Sequence, residues 1–254
     1  VRRFKNKVIV FLVFIISVLV SIATSNDFGV SFTKAEHKVM PIYGVDISEN
    51  AVALTFDVNW ADKDYLGDIL KILDKHKVKA TFFVMGKWVI YPDGNVEKLK
   101  AIKDGGHEIG NHSYVHPDFQ KIDEKRMKEE VKRTEDIILD KVGVKTILFR
   151  CPSGSYNDKA INVVNSLGYK CIHWDVDSVD WKEQGKEIEY NRVIKKIKPG
   201  SIILFHNNAK YTPENLDRLL EELNERHYKV LKVSEILYND KYGINSDGRQ
   251  YLIK

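Results

Sequence analysis

The sequence predicts an α/β fold, a parallel (β/α) barrel of about seven strands behind an N-terminal hydrophobic segment. Three observations carry that expectation. From Ala51 onward, short β-branched and aromatic runs alternate with amphipathic stretches, the pattern of a parallel sheet with crossover helices. About seven such runs exceed what a small open sheet needs and approach a barrel. Acids, histidines and an arginine stand directly after several of the runs, where a (β/α) barrel opens onto its C-terminal face. The composition, 43% apolar and 30% charged over 254 residues, suits a single globular core of this size.

The first segment, residues 1–23, is a basic region followed by an apolar one. Arg2, Arg3, Lys5 and Lys7 precede residues 8–23, which are apolar except for Ser17 and Ser21. As a helix that stretch rises about 24 Å, slightly short of a ~30 Å hydrocarbon core, and fits a signal-peptide core or a short single-span anchor. The positive flank favours the cytoplasmic side, so the remainder is expected to be extracytoplasmic, either single-pass membrane anchored or secreted. Ser21-Ile22-Ala23 offers small residues for cleavage. Those four basic residues account for the net charge of +4, since the other 36 balance 36 acidic ones, and no nucleic-acid-binding patch is indicated.

Residues 24–50 lack sustained periodicity and read as a tether leading into a first strand. The domain proper is expected over 51–238, with strands at 51–56, 80–84, 108–110, 146–149, 170–174, 201–205 and 228–231. Helices lie between them. Tyr65, Leu66, Ile69, Leu70 and Leu73 recur at helical spacing, as do Met127, Val131, Thr134, Ile137 and Ile138. Gly105-Gly106 closes a helix before Glu108. Asn157 caps the helix carrying Ile161, Val164 and Leu167, which Gly168 ends. Thr212-Pro213 supplies a cap and an N1 proline ahead of Leu216, Leu219, Leu220 and Leu223. Residues 239–254 read as a polar, peripheral C-terminal tail. Cys151 and Cys171 are too few for a disulfide scaffold and are expected as buried free thiols, with one bridge between them as the alternative in an exported protein.

The polar residues at strand ends are the candidates for chemistry. Asp57 follows Leu54-Thr55-Phe56, His112 and His116 follow the 108–110 strand, Arg150 follows Leu148-Phe149, and His206 follows Ile203-Leu204-Phe205. Asp175, Asp177 and Asp180 come after Trp174. The spacing His112-Ser-Tyr-Val-His116 suits metal ligation, because i and i+4 side chains share one face of a helical turn; Asn111 and Pro117 around it speak for a loop or single turn. His107 and His173 fall within strands and read as hydrogen-bonded core residues, Glu108 as a strand-edge carboxylate, and the charged run 123–130 as a solvated helix face.

Taken together and in order, these motifs resemble the polysaccharide deacetylases with a NodB-homology domain, most closely their sporulation-associated, membrane-anchored branch. The resemblance runs from about Ala51 to Leu237 through Thr55-Phe56-Asp57, His112-Ser113-Tyr114-Val115-His116, Arg150-Cys151-Pro152-Ser153-Gly154, Asp177-Ser178-Val179-Asp180-Trp181 and Leu204-Phe205-His206. It implies a distorted or incomplete (β/α) barrel and a hydrolase that removes N-acetyl groups from a cell-wall or related N-acetylated polysaccharide, peptidoglycan or chitin-like. By the same resemblance Asp57 is the catalytic base, His206 the catalytic acid, and Arg150 and Asp180 their respective supports. Ser153, Trp181 and Leu204 contact substrate, and His112 and His116 bind a divalent metal, zinc foremost, with cobalt or manganese as alternatives.

One residue departs from the family pattern. Its first motif has two consecutive Asp residues, the second a metal ligand, and here that place is Val58. Valine cannot coordinate an ion, so the expected ligand set shrinks to His112 and His116 and the metal site is expected to be weak or absent. The alternative expectation is therefore a metal-deficient, weakly active or inactive carbohydrate-binding homologue.

Overall fold

In a computed structural model, residues 39–253 are described. The apolar segment 8–23 and most of the tether lie outside them. Among the described residues no helix is long and apolar enough to cross a membrane.

The chain enters through β1 (Gly44–Val45) and then runs β2 (Ala51–Val58), α1 (Leu66–Lys75), β3 (Thr81–Val84), α2 (Gly86–Ile90), α3 (Asn95–Asp104), β4 (Glu108–Asn111) and α4 (Glu124–Val142). Next come β5 (Leu148–Phe149), α5 (Asp158–Ser166), β6 (Lys170–Cys171), β7 (Val176–Asp177), α6 (Lys186–Ile194), β8 (Ile202–His206) and α7 (Thr212–Glu225). The chain closes with β9 (Lys229–Leu231), α8 (Val233–Ile236) and a hairpin, β10 (Tyr242–Ile244) and β11 (Arg249–Leu252). The main sheet has the order β6-β5-β4-β3-β2-β8-β7, every pair parallel, with β9 beside the first residues of β2. This is the expected incomplete barrel. Between β6 and the β7–β8 side, Ile42 bridges Ile172 and Gly44 bridges Ser201, so the lead-in segment spans part of the gap.

Alternation along β2 explains how one strand serves two layers. Val52, Leu54, Phe56 and Val58 face outward into the cluster formed with Leu66, Ile69, Leu73, Leu216, Leu219 and Leu223 of α1 and α7. Phe56 sits between its register partners Phe82 and Phe205, with ring centroids 4.9 and 5.8 Å away. Each such buried aromatic contributes about 1.5–3 kcal/mol of hydrophobic stabilisation. The opposite face of β2 gives Ala51 and Ala53 to a second cluster with Val45, Phe83, Ile202, Val233 and Ile236, and then Thr55 and Asp57 to the interior near the strands' C-terminal ends.

Four expectations change. The expected tail carries, over 242–252, the β10–β11 hairpin, which pairs β11 with β1; Arg249 anchors it by binding Asp175 at 2.7 Å and the carbonyls of Val45 and Pro199. A charge brought inward on a polar strand leaves no apolar run to read. The 170–174 strand stops at Cys171, because His173 N–H bonds to Ile42, and β7 is a separate short strand after it. Thr212 is not the cap of α7: Tyr211 holds that position without a side-chain bond, and the Thr212 hydroxyl points to Asp180. Finally, Glu130 is buried in the face of α4 expected to be solvated. Asn157 does cap α5, accepting from Ala160 N–H at 2.9 Å.

Candidate active site

Parallel register brings the site together. Asp57 on β2 pairs with His206 on β8, so both side chains leave adjacent strands toward the interior at the same height. Asp57, Asn59, His116, Ser153, Trp174, Asp177, Trp181, Leu204 and His206 line one pocket of about 440 Å³. His112 and Arg150 lie buried behind it, and Asp180 behind His206. All nine residues singled out from the sequence as site residues thus gather at one end of the barrel.

Asp57 is held by Arg150. The guanidinium Nη1 donates to Asp57 Oδ1 at 2.8 Å and to Thr55 Oγ1 at 2.9 Å, while Nη2 donates to the His173 carbonyl at 3.0 Å. Arg150 is fully buried and lies 4.1 Å over the Phe83 ring. Gly110 makes that floor possible, since a Cβ there would stand 2.5 Å from the Phe83 ring. Burial alone would raise the Asp57 carboxyl, but Arg150 beside it, helped by His112 and His206, brings the net shift below the usual carboxylate range. The result is an ionised carboxylate in a nearly water-free wall.

His206 is held by Asp180. Its Nδ1 lies 2.6 Å from Asp180 Oδ1, and its backbone N–H donates to Oδ2 at 2.8 Å. Thr212 Oγ1 donates to the same Oδ2 at 2.8 Å, so Asp180 is fixed from both sides. Burial depresses the imidazole, yet the hydrogen bond and charge of Asp180 raise it above its ordinary value overall. An ionised carboxylate and a stabilised imidazolium therefore face one pocket, a pairing able to take a proton at one atom and give one at another.

The histidine couple is set by its loop. Ser113 and His116 have φ of 64° and 61°, so the pair lies on a left-handed loop and not on a helical turn. Glu130 shapes that loop by accepting from Tyr114 and Val115 N–H at 2.7 and 2.8 Å, and Arg126 neutralises it at 2.7 Å. His112 Nδ1 donates to the Arg150 carbonyl at 2.9 Å, which leaves Nε2 as the lone-pair nitrogen. That Nε2 is buried without a hydrogen-bond partner, 3.5 Å from Asp57 Oδ2. Burial lowers the pKa of His112 to about 4 and also lowers that of His116, whose ring centroid is 4.9 Å from that of His112.

Two neutral imidazoles and an orphaned buried lone pair fit a divalent cation, but only as an incomplete ligand set. Val58 is completely buried in the outer apolar cluster and offers no donor. The site residues do not converge as a set of three potential ligands. Among the described residues the only set of that kind is His76, Asp217 and Glu221, elsewhere on α1 and α7, where Lys75 already pairs with both acids.

Sequence reasoning missed several supports. Asn207 is buried and clamps Asn59, accepting from its N–H at 2.8 Å and donating to its carbonyl at 3.1 Å. Standing directly after His206 was the available signal. Trp174 forms one wall, and Gly154 must be glycine there, because its φ is +64° and a Cβ would meet Trp174 and His173 at 2.7 Å. Of the residues given the ordinary reading, His173 stacks between Tyr43 and Trp174, and Glu108 accepts from Thr81. Cys151 and Cys171 are free and buried, with sulfurs 3.9 Å apart.

A model of the polysaccharide deacetylase family matches residues 44–172. The uncharacterized protein YlxY of Bacillus subtilis is 37% identical over 197 residues, 78% of this chain but only 60% of YlxY. The peptidoglycan-N-acetylmuramic acid deacetylase PdaA of the same species is 29% identical over 224 residues, covering 87% of this chain and 84% of PdaA. Among solved structures, BA3943 of Bacillus anthracis, described as a CE4 family pseudoenzyme, superposes with a TM-score of 0.73 at 37% identity, covering 78% of this chain and 69% of that one. A BA3943 mutant with the same score is described as having restored enzymatic activity.

Proposed function

The chain belongs to the polysaccharide deacetylase family, and from that premise we propose that it hydrolyses N-acetyl groups on a cell-wall glycan of the peptidoglycan type. The observation that carries this reading is the register pairing of Asp57 with His206 across one pocket, each backed by its own buried partner of opposite charge.

Amide hydrolysis needs a water activated, the tetrahedral oxygen stabilised and the leaving nitrogen protonated. Asp57, kept ionised by Arg150, takes the proton of the attacking water. The imidazolium of His206, supported by Asp180, gives its proton to the departing amine. The Ser153 backbone N–H supports the developing oxyanion, and Leu204 and Trp181 enclose the acetyl methyl group. His112 and His116 would hold a divalent cation, which when bound polarises the carbonyl and acidifies water. With the N-terminal segment as tether, the domain would work outside the membrane, at the cell wall and in sporulation.

The test is acetate release from chitin oligomers and peptidoglycan fragments with zinc, cobalt or manganese supplied. His206→Ala should reduce turnover by roughly 10²–10⁴-fold, the usual contribution of a general acid. Unchanged turnover would remove His206 from that role.

Val58 supports a second reading, a glycan-binding protein that retains the cleft with little or no turnover. That reading expects binding of the same oligomers and no acetate under any of the three metals.

A further inference from the structure

The Trp174 wall of the pocket is held from outside the barrel. Trp174 stands between His173 and Asp175, and the C-terminal hairpin grips both of those neighbours.

The grip on Asp175 is ionic. Arg249 on β11 donates from Nη1 to Asp175 Oδ2 at 2.7 Å, and from Nη2 to the carbonyls of Val45 and Pro199. Ser201 Oγ and the Ile202 N–H donate to the same carboxylate at 3.2 and 3.0 Å, so Asp175 has no freedom to swing. Gly44, the register partner of Arg249 on β1, leaves without a Cβ the room that the guanidinium takes.

The grip on His173 is aromatic. The Gly248 carbonyl in the hairpin turn accepts from Tyr43 N–H at 2.8 Å, and Gly248, which has no Cβ, lies against the Tyr43 ring. Tyr43 stacks on His173 with centroids 4.1 Å apart and planes 22° apart, and His173 stacks on Trp174 at 4.0 Å and 21°. The Tyr43 and Tyr156 hydroxyls lie 2.8 Å apart in a hydrogen bond that stops the ring from sliding. One stack of three rings thus runs from the hairpin turn to the pocket. It shares a residue with the support of Asp57, because the His173 carbonyl accepts from Arg150 Nη2.

Stability alone gives this hairpin little to do. Its buried residues are Arg249 and Gln250, so it adds no apolar core, and a two-stranded hairpin is marginal by itself. We propose that β10–β11 is a positioning element of the site: Arg249, acting through Asp175, and Tyr43, acting through His173, fix the Trp174 indole as the pocket wall. Neither Tyr43 nor Arg249 lines the pocket. A wall set in this way holds a ligand in one pose, and that consequence rests on the glycan reading of the pocket.

The test follows the indole N–H groups of the full chain by proton–nitrogen correlation NMR, which gives one cross-peak for each of its four tryptophans. Single Trp→Phe variants assign Trp174 and, as a control, Trp88, which is buried in the outer cluster. Tyr43→Ala and Arg249→Ala should each shift or broaden the Trp174 cross-peak and leave that of Trp88 in place. Tyr43→Phe keeps the stacked ring and should leave both where the parent has them. A parental Trp174 cross-peak in Tyr43→Ala, or in a folded Arg249→Ala, would overturn the proposal. So would Trp174 and Trp88 moving together in Tyr43→Ala, which would reduce Tyr43 to a support of the fold. Chitohexaose added to the same samples should move the parent's Trp174 cross-peak and bind several-fold more weakly to both Ala variants. Equal affinity in variants whose Trp174 has shifted would overturn the hairpin's role at the site. If the sugar moves no cross-peak of the parent, the glycan reading falls, while the hold of the hairpin on Trp174 is decided by the variants alone.

Discussion

Asp180 accepts from four donors, the backbone N–H of Trp181 and of His206, the His206 ring and the Thr212 hydroxyl, and so keeps His206 charged in a place where burial would discharge it. The sign of the pH dependence follows. The folded-state pKa of His206 is raised, so its imidazolium persists above the ordinary value near 6.5 and is lost as pH rises through the folded value. The alkaline limb of turnover should therefore lie above that of a free imidazole. Asp180→Asn removes the charge that raises it and leaves the burial that lowers it, so the limb should move to lower pH along with a drop in turnover. A pH–rate profile in which the Asn variant keeps the parent's alkaline limb would show that another group sets it. Asp57, Arg150 and His206 were legible because each directly follows an apolar run. Glu130 and Thr212 were not: a buried acid in a charged helix and a hydroxyl at a helix start look like surface in a single sequence.

Two helices act on the site without entering it. From α4, Glu130 takes the two backbone donors that let the Ser113–His116 loop turn left-handed. Glu130→Ala strands those N–H groups at a cost of roughly 1–3 kcal/mol for each buried donor and frees the histidine pair to reorient. A lowered Tm, together with a loss of zinc affinity in calorimetry, is expected; a lowered Tm with parental affinity would restrict Glu130 to stability. On α6, Glu189 is buried among Asn215, Thr212 and Asp180, and burial raises its pKa to about 7. A carboxyl whose folded pKa exceeds its unfolded one favours the fold while protonated, so that advantage is lost as pH rises toward 7 and beyond. Glu189→Gln should raise Tm by a few degrees at alkaline pH and change it little in acid, which parallel thermal melts would check. At this scale the strands with apolar runs were readable from sequence. Two-residue β7 and the polar β10–β11 hairpin were not, because β7 buries the single apolar residue Val176 and the buried residues of the hairpin are Arg249 and Gln250.

Among the described residues, the outer face of the strands feeds the helix layer, while the inner face is packed at one end and carries the chemistry at the other. On β2 the even-numbered residues feed the helix layer, while Thr55 and Asp57 feed the interior, so the fold does not depend on what the site binds. A cation at His112 and His116 should then add only its own binding free energy, and with two imidazoles and no third ligand that addition is small at moderate zinc. Val58→Asp tests the premise. Without metal, the new carboxylate at the end of β2 replaces a fully buried methyl pair, so Tm should fall by an amount typical of an unpaired buried charge. If that strand end can turn its carboxylate to the imidazoles, zinc at about 100 times its dissociation constant should return about 2.7 kcal/mol, a larger shift than the parent shows. Melts of parent and variant with and without zinc decide the matter. A variant destabilised equally in both conditions would mean that residue 58 belongs to the helix layer alone, and that the cation site of this chain is built without β2's last residue.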